Sequence, residues 1–232
     1  LTPASDTEVF SIHMNNNELS DATRLSIGMR PSINLKSSIR VADGNGTIDN
    51  PYRLEGDNDT NLEGTYLNER YSGEYIRFGS GENNLYRIVS HENGKGTKIT
   101  SANPLKDNGN FRTMHFGSTV TFSTTNTVGS FLNNDYLNVN NGYLSTDDIS
   151  MIEDNSTWYL GVVGNSGFSY KLAKYKDDSM SSYAPSMQAK IGLLRIGELM
   201  AGEFDIYQNN FTYWELTPTD EERMRVEDHS SF

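Results

Sequence analysis

The sequence predicts an α+β fold with strands in the majority, carrying one or two short helices. Three observations predict it. Short runs of β-favouring residues alternate with polar ones, and stretches dense in Gly, Asn and Asp separate those runs. Only 35% of the residues are hydrophobic, yet aromatics reach 11%, with 13 Tyr and 10 Phe. A core of few but large side chains suits a loop-rich, strand-rich protein and argues against disorder.

Residues 8–14 open the series as a short alternating strand. Residues 25–41 follow, with Ile33, Leu35, Ile39 and Val41 at mostly two-residue spacing. Asp43-Gly44-Asn45-Gly46-Thr47 is turn chemistry and predicts a tight hairpin before Ile48. Residues 55–64 lack apolar periodicity and read as a linker. Beyond it, Tyr75–Phe78 and Leu85–Val89 flank a Gly/Asn turn, and Gly96–Thr100 continues the meander. From Thr127 to Leu137 the apolar positions Val128, Phe131, Leu132 and Tyr136 fit a helix lying on a core. Thr157–Gly161 reads as a buried strand. Residues 186–201 predict a second short helix through Ile191, Leu194, Leu199 and Met200, interrupted by Gly192 and Gly197. Phe211–Leu216 and Glu222–Val226 return to strand.

Leu1-Thr2-Pro3 recurs as Leu216-Thr217-Pro218, 215 residues later, and a short strand pattern follows each copy. Such recurrence predicts a chain cut across a repeating array. Residues 1–54 would be the closing strands of one unit, 55–64 a linker, and 65–232 the main body of the next.

A formal net charge of −12 lacks the basic footprint that a phosphate backbone requires, so a nucleic-acid partner is not expected. The absence of cysteine removes disulfides, thiolate metal sites and cysteine nucleophiles together. It fits a cytosolic protein or a Gram-positive exported one. No apolar stretch approaches the roughly 20 residues of a membrane-spanning helix.

Several further stretches carry a family likeness. Gly28-Met29-Arg30-Pro31-Ser32-Ile33-Asn34-Leu35-Lys36, followed by Asp43–Tyr52, resembles the closing segment of a group of bacterial cell-surface repeat domains. Those domains end in a G-x-R-P-x-I-x-L strand and a G-D-G-T-x-x-N-P-Y loop. Ala189–Leu194 with Glu198 resembles that family's V-G-L-L helix, and Tyr213–Pro218 its W-x-L-T-P strand. Tyr75–Val89 is similar to its opening hairpin, with Tyr86 where the family has Trp. The family's motif layout is similar to C-type-lectin-like folds, including formylglycine-generating enzymes. The resemblance therefore implies a C-type-lectin-like antiparallel sheet, here in permuted order because the closing segment comes first. It does not imply the enzymes' chemistry.

The resemblance and the repeat together lead to the expectation of a non-enzymatic structural repeat in an extracellular surface fibre of a Gram-positive-type bacterium. Neighbouring copies of the chain would be its partners, sharing β-strands. The expected interface strands hold Val9, Phe10 and Ile12, then Ile33, Leu35 and Ile39, with Tyr213, Trp214 and Leu216 on the acceptor side. The closing segment and the Trp214 strand would be neighbours in one sheet. The alternative is a lectin-like adhesin module binding a glycan or a host surface through its loops.

Catalytic constellations are not apparent. His13, His91, His115 and His229 lack partner motifs, and no nucleophile elbow or phosphate loop occurs. No cofactor is expected, and calcium is the one candidate metal. Asp57, Asp59 and Asn61 space oxygens like the start of a calcium loop, but Leu62 and Asn68 stand where Gly and Glu are needed. Asp43, Asn45, Thr47 and Asp49 alternate oxygens too, with Gly44 and Gly46 marking a turn. Asp147/Asp148 and Asp177/Asp178 lie in polar loops. Tyr170, Tyr175 and Tyr183 could stack on sugars.

Overall fold

Alternation of branched apolar and polar side chains on both sides of residues 56–64 builds a single seven-stranded sheet. The computed structural model describes residues 8–10, 20–22, 24, 26–55, 65–91, 96–119, 121–160, 186–194, 212–220 and 223–228. In chain order the strands begin with β1 (Glu8–Phe10), β2 (Ser20–Ala22), β3 (Ser26–Gly28), β4 (Ser32–Leu35), β5 (Arg40–Asp43) and β6 (Tyr52–Glu55). The middle of the chain adds β7 (Tyr75–Arg77), β8 (Leu85–His91), β9 (Thr97–Ser101), β10 (Lys106–Asp107), β11 (Asn110–Phe111) and β12 (Thr113–His115). Helix α1 (Thr127–Ser130) runs into a π-helical turn at Phe131–Asp135, and α2 (Thr146–Met151) follows. The series closes with β13 (Ser156–Tyr159), β14 (Ser186–Ala189), β15 (Ile191–Gly192), β16 (Thr212–Asp220) and β17 (Arg223–Asp228). The protein is thus strand-rich α+β, with few short helices.

The sheet runs β15-β4-β9-β8-β7-β6-β5. Every pairing in it is antiparallel except β6 with β7. One face carries Ile33, Leu35, Ile76, Tyr86, Ile88, Ile99 and Ile191 into a single buried cluster. Val128, Phe131, Leu132 and Tyr136, the positions expected to hold the first helix on a core, all enter that cluster. Asn126 caps α1 by accepting from the Gly129 amide, and Ser145 with Asp148 forms a capping box on α2.

Three expectations are corrected. Residues 186–192 form strands, where the apolar spacing predicts helix. β14 pairs along its whole length with β13, from Ser156 opposite Ala189 to Tyr159 opposite Ser186, and Ile191 lies opposite Ile33. Cross-strand packing outweighs a helical spacing already weakened by Gly192. The Asp43–Thr47 turn is wider than a tight hairpin, spanning the whole connection between β5 and β6. There the Asn45 amide donates to the Asn50 carbonyl at 3.0 Å. Finally, β16 pairs with β17 and β1 with β2, each as a two-stranded ribbon. Among the described residues the Trp214 strand is therefore not paired with the closing segment. The sequence-adjacent hairpin supplies its hydrogen bonds, while the closing segment finds its partners in residues 65–67, 75–115, 151–153 and 191–192.

Candidate functional site: the slot that receives β4

β4 is an interior strand, and both its neighbours, β9 and β15, come from beyond residue 64. Ile33 stands opposite Ile99 of β9 on one side and Ile191 of β15 on the other. Ser32 stands between Thr100 and Gly192. On the core face Ile33 and Leu35 have no exposed surface. On the opposite face the Ser32 hydroxyl bonds the Thr100 hydroxyl at 3.0 Å. The flanking backbone is tied down as well. The Leu105 amide donates to Met29 O, Ser101 N to Pro31 O, Lys36 N to Met151 O and Glu153 N to Asn34 O, each at 2.9 Å. The Arg30 Nε donates to the Ser101 carbonyl at 2.6 Å.

Further along, Ile39 is fully buried and its carbonyl accepts from the Leu67 amide, while the Val41 amide donates to Thr65 O. Full burial of an aliphatic side chain is worth about 1.5–3 kcal/mol. Ile33, Leu35 and Ile39 alone therefore contribute an amount comparable to the whole net stability of a typical domain. Without β4, the hydrogen-bonding groups of β9 and β15 that face it would lie open.

The outer edges of the sheet are closed within the chain. Beside β15, the Asn133 carboxamide imitates a strand: Oδ1 accepts from the Ile191 amide at 3.1 Å and Nδ2 donates to the Ile191 carbonyl at 2.9 Å. Beside β5, Arg40 bridges to Tyr66, and the Arg40 guanidinium lies 4.0 Å from the Tyr66 ring centre. Trp158 covers the polar face near β4. Its Nε1 donates to the Ala189 carbonyl at 2.9 Å, and the Lys98 ammonium sits 5.4 Å from its ring. A Cβ at Gly192 would fall 2.4 Å from that ring, so Gly is required there.

Under the core face, the Tyr86 and Tyr136 hydroxyls bond each other, and burial pushes both pKa values up. Tyr143 donates to Asp107 Oδ1 at 2.6 Å, and Arg112 bonds the other carboxylate oxygen. Burial, reinforced by that acceptor, pushes Tyr143 up to about 12. At Asp107 burial acts to raise the pKa, but the bonds from Tyr143 and Arg112 outweigh it and hold the carboxyl below its usual value. The group is a structural anchor between β10, the β11–β12 connection and, through the Arg112 guanidinium 4.4 Å from the Phe131 ring centre, the π-helical turn.

Of the expected interface residues, the structure brings Ile33, Leu35 and Ile39 into this chain's own core. Val9 and Phe10 lie in β1, opposite Asp21 and Ser20. Tyr213 and Trp214 lie in β16, opposite Glu227 and Val226, and Leu216 falls at a register irregularity of the same strand. Ile12 lies outside the described residues, as do Asp57, Asp59 and Asn61, the tyrosines Tyr170, Tyr175 and Tyr183, and the Asp177/Asp178 pair. Asn45 uses its side-chain oxygen on Thr47, and Asp43 pairs with Arg53 at 2.9 Å, so the hairpin oxygens serve the turn. His91 bonds Thr97 Oγ1 and the Arg70 carbonyl, and burial pushes its pKa down. Among the described residues no three His, Asp or Glu side chains converge on a metal position, and no helix is long and apolar enough to cross a membrane.

Sequence reasoning missed Asn133, whose type and spacing carry no edge-closing signal. It also missed the Trp158–Gly192 contact, although a Gly interrupting a helical pattern was a signal for it. Comparison with protein-family models, with curated proteins and with solved structures finds no match to this chain.

Proposed function

We propose that the chain is a non-enzymatic structural subunit of an extracellular bacterial surface fibre, in which the β3–β6 segment of one copy completes the sheet of the next. The observation that supports this reading most is the interior position of β4. A peripheral tail could detach with little cost, whereas β4 fills a slot between β9 and β15. The same set of contacts can form within one chain or between two, because the slot and the strand belong to segments separated by the 55–64 linker. The repeated Leu-Thr-Pro and the family resemblance favour the exchanged arrangement: a C-type-lectin-like unit in permuted order, its closing strands displaced to the front of the next body. The anionic composition suits an exposed, soluble surface.

The test exploits the absence of native cysteine. Ser32 and Thr100 already bring their hydroxyls to 3.0 Å, so Ser32→Cys with Thr100→Cys places two thiols for oxidation. Exchange between copies gives a ladder of covalent multimers on a denaturing gel, matched by filaments in negative stain. Oxidised monomer at every concentration, with a monomeric particle by light scattering, overturns the fibre.

A further inference from the structure

We propose that Asn108–Gly109 is a site of spontaneous asparagine conversion assisted by Glu82. The dipeptide forms the exposed two-residue loop between β10 and β11, with Asp107 opposite Asn110. Both loop residues take positive φ, 51° at Asn108 and 80° at Gly109, as the tight primed hairpin turn demands. Gly109 has open space around its α-carbon, and the Asn108 carboxamide makes no hydrogen bond among the described residues. The Gly109 amide proton points to both carboxylate oxygens of Glu82, at 3.0 and 3.2 Å.

Those partners match the chemistry of succinimide formation. The Gly109 nitrogen attacks Asn108 Cγ, and its proton passes to the Glu82 carboxylate acting as general base. The Cγ–Nδ2 bond then breaks, and ammonia leaves carrying that proton. Water opens the ring at either carbonyl, giving aspartate or isoaspartate. The other described Asn-Gly pairs are held back. Asn45 gives its side-chain oxygen to Thr47 N and Oγ1, and Gly46 is buried. Asn141 donates its Nδ2 to the Asp135 carbonyl at 2.8 Å, and Gly142 N donates to Val139 O. Asn93–Gly94 lies outside the described residues. The product adds a negative charge beside Glu82 and, as isoaspartate, one extra backbone carbon in the turn.

The test is peptide mapping by mass spectrometry of the full chain during incubation at mildly alkaline pH. The Asn108 peptide is expected to gain one dalton several-fold faster than the Asn45 and Asn141 peptides. Glu82→Gln keeps an acceptor for the Gly109 amide but lacks the basicity, and is expected to slow conversion several-fold with unchanged melting. Equal or slower conversion at Asn108 than at Asn45 or Asn141 overturns the site. Conversion in Glu82→Gln at the original rate or faster overturns the role of Glu82.

Discussion

A single methyl group decides how Trp158 can lie. Gly192 sits beneath its indole so closely that any Cβ would overlap ring carbons at 2.4–2.8 Å. Overpacking of this kind costs about 1–3 kcal/mol. Gly192→Ala is expected to lower the melting temperature and to change the Trp fluorescence, with retention of both arguing against the contact. At this scale the sequence was only partly legible. Phe131, Leu132 and Tyr136 announced their burial by spacing, because a helical stripe must face a core. The tyrosine hydroxyl pair and the Arg112–Asp107–Tyr143 chain did not, since long-range partners leave no local pattern.

Among the elements, the strands at 32–35, 75–77, 85–91, 97–101 and 156–159 follow the expected positions. Their β-branched and aromatic content agrees with their neighbours in space. The 186–192 segment departs because cross-strand pairing with β13 and β4, rather than its own spacing, sets its conformation. The β15 edge shows how little an element may need for closure, with one carboxamide occupying both backbone groups of Ile191. Leaving such groups unsatisfied costs about 1–3 kcal/mol. Asn133→Ala is therefore expected to destabilise the fold and to increase aggregation, as an open sheet edge invites pairing. Lowered stability without faster aggregation on light scattering would show that Asn133 is a packing residue rather than an edge guard.

For the molecule as a whole, the 55–64 segment does not divide the chain into independent sheets. Strands before it and after it interleave, so neither part has a complete core of its own. Removing residues 1–54 is expected to abolish cooperative melting, and adding the excised segment as a separate peptide to restore it. A truncated chain that melts as the full one does would contradict the interior role of β4. The sequence showed strand and burial at Ile33 and Leu35 through their two-residue spacing. It did not disclose that their partner was the middle of the chain, because strand register depends on contacts across more than sixty residues, as between Ser32 and Thr100.

The interior strand also bears on mechanics. A terminal hairpin under tension unzips one bond at a time, but β4 is gripped along both flanks. Traction along its axis loads both rows in shear, so they must rupture together before the thread slips free. A joint of that design resists stretching far better than its four residues suggest.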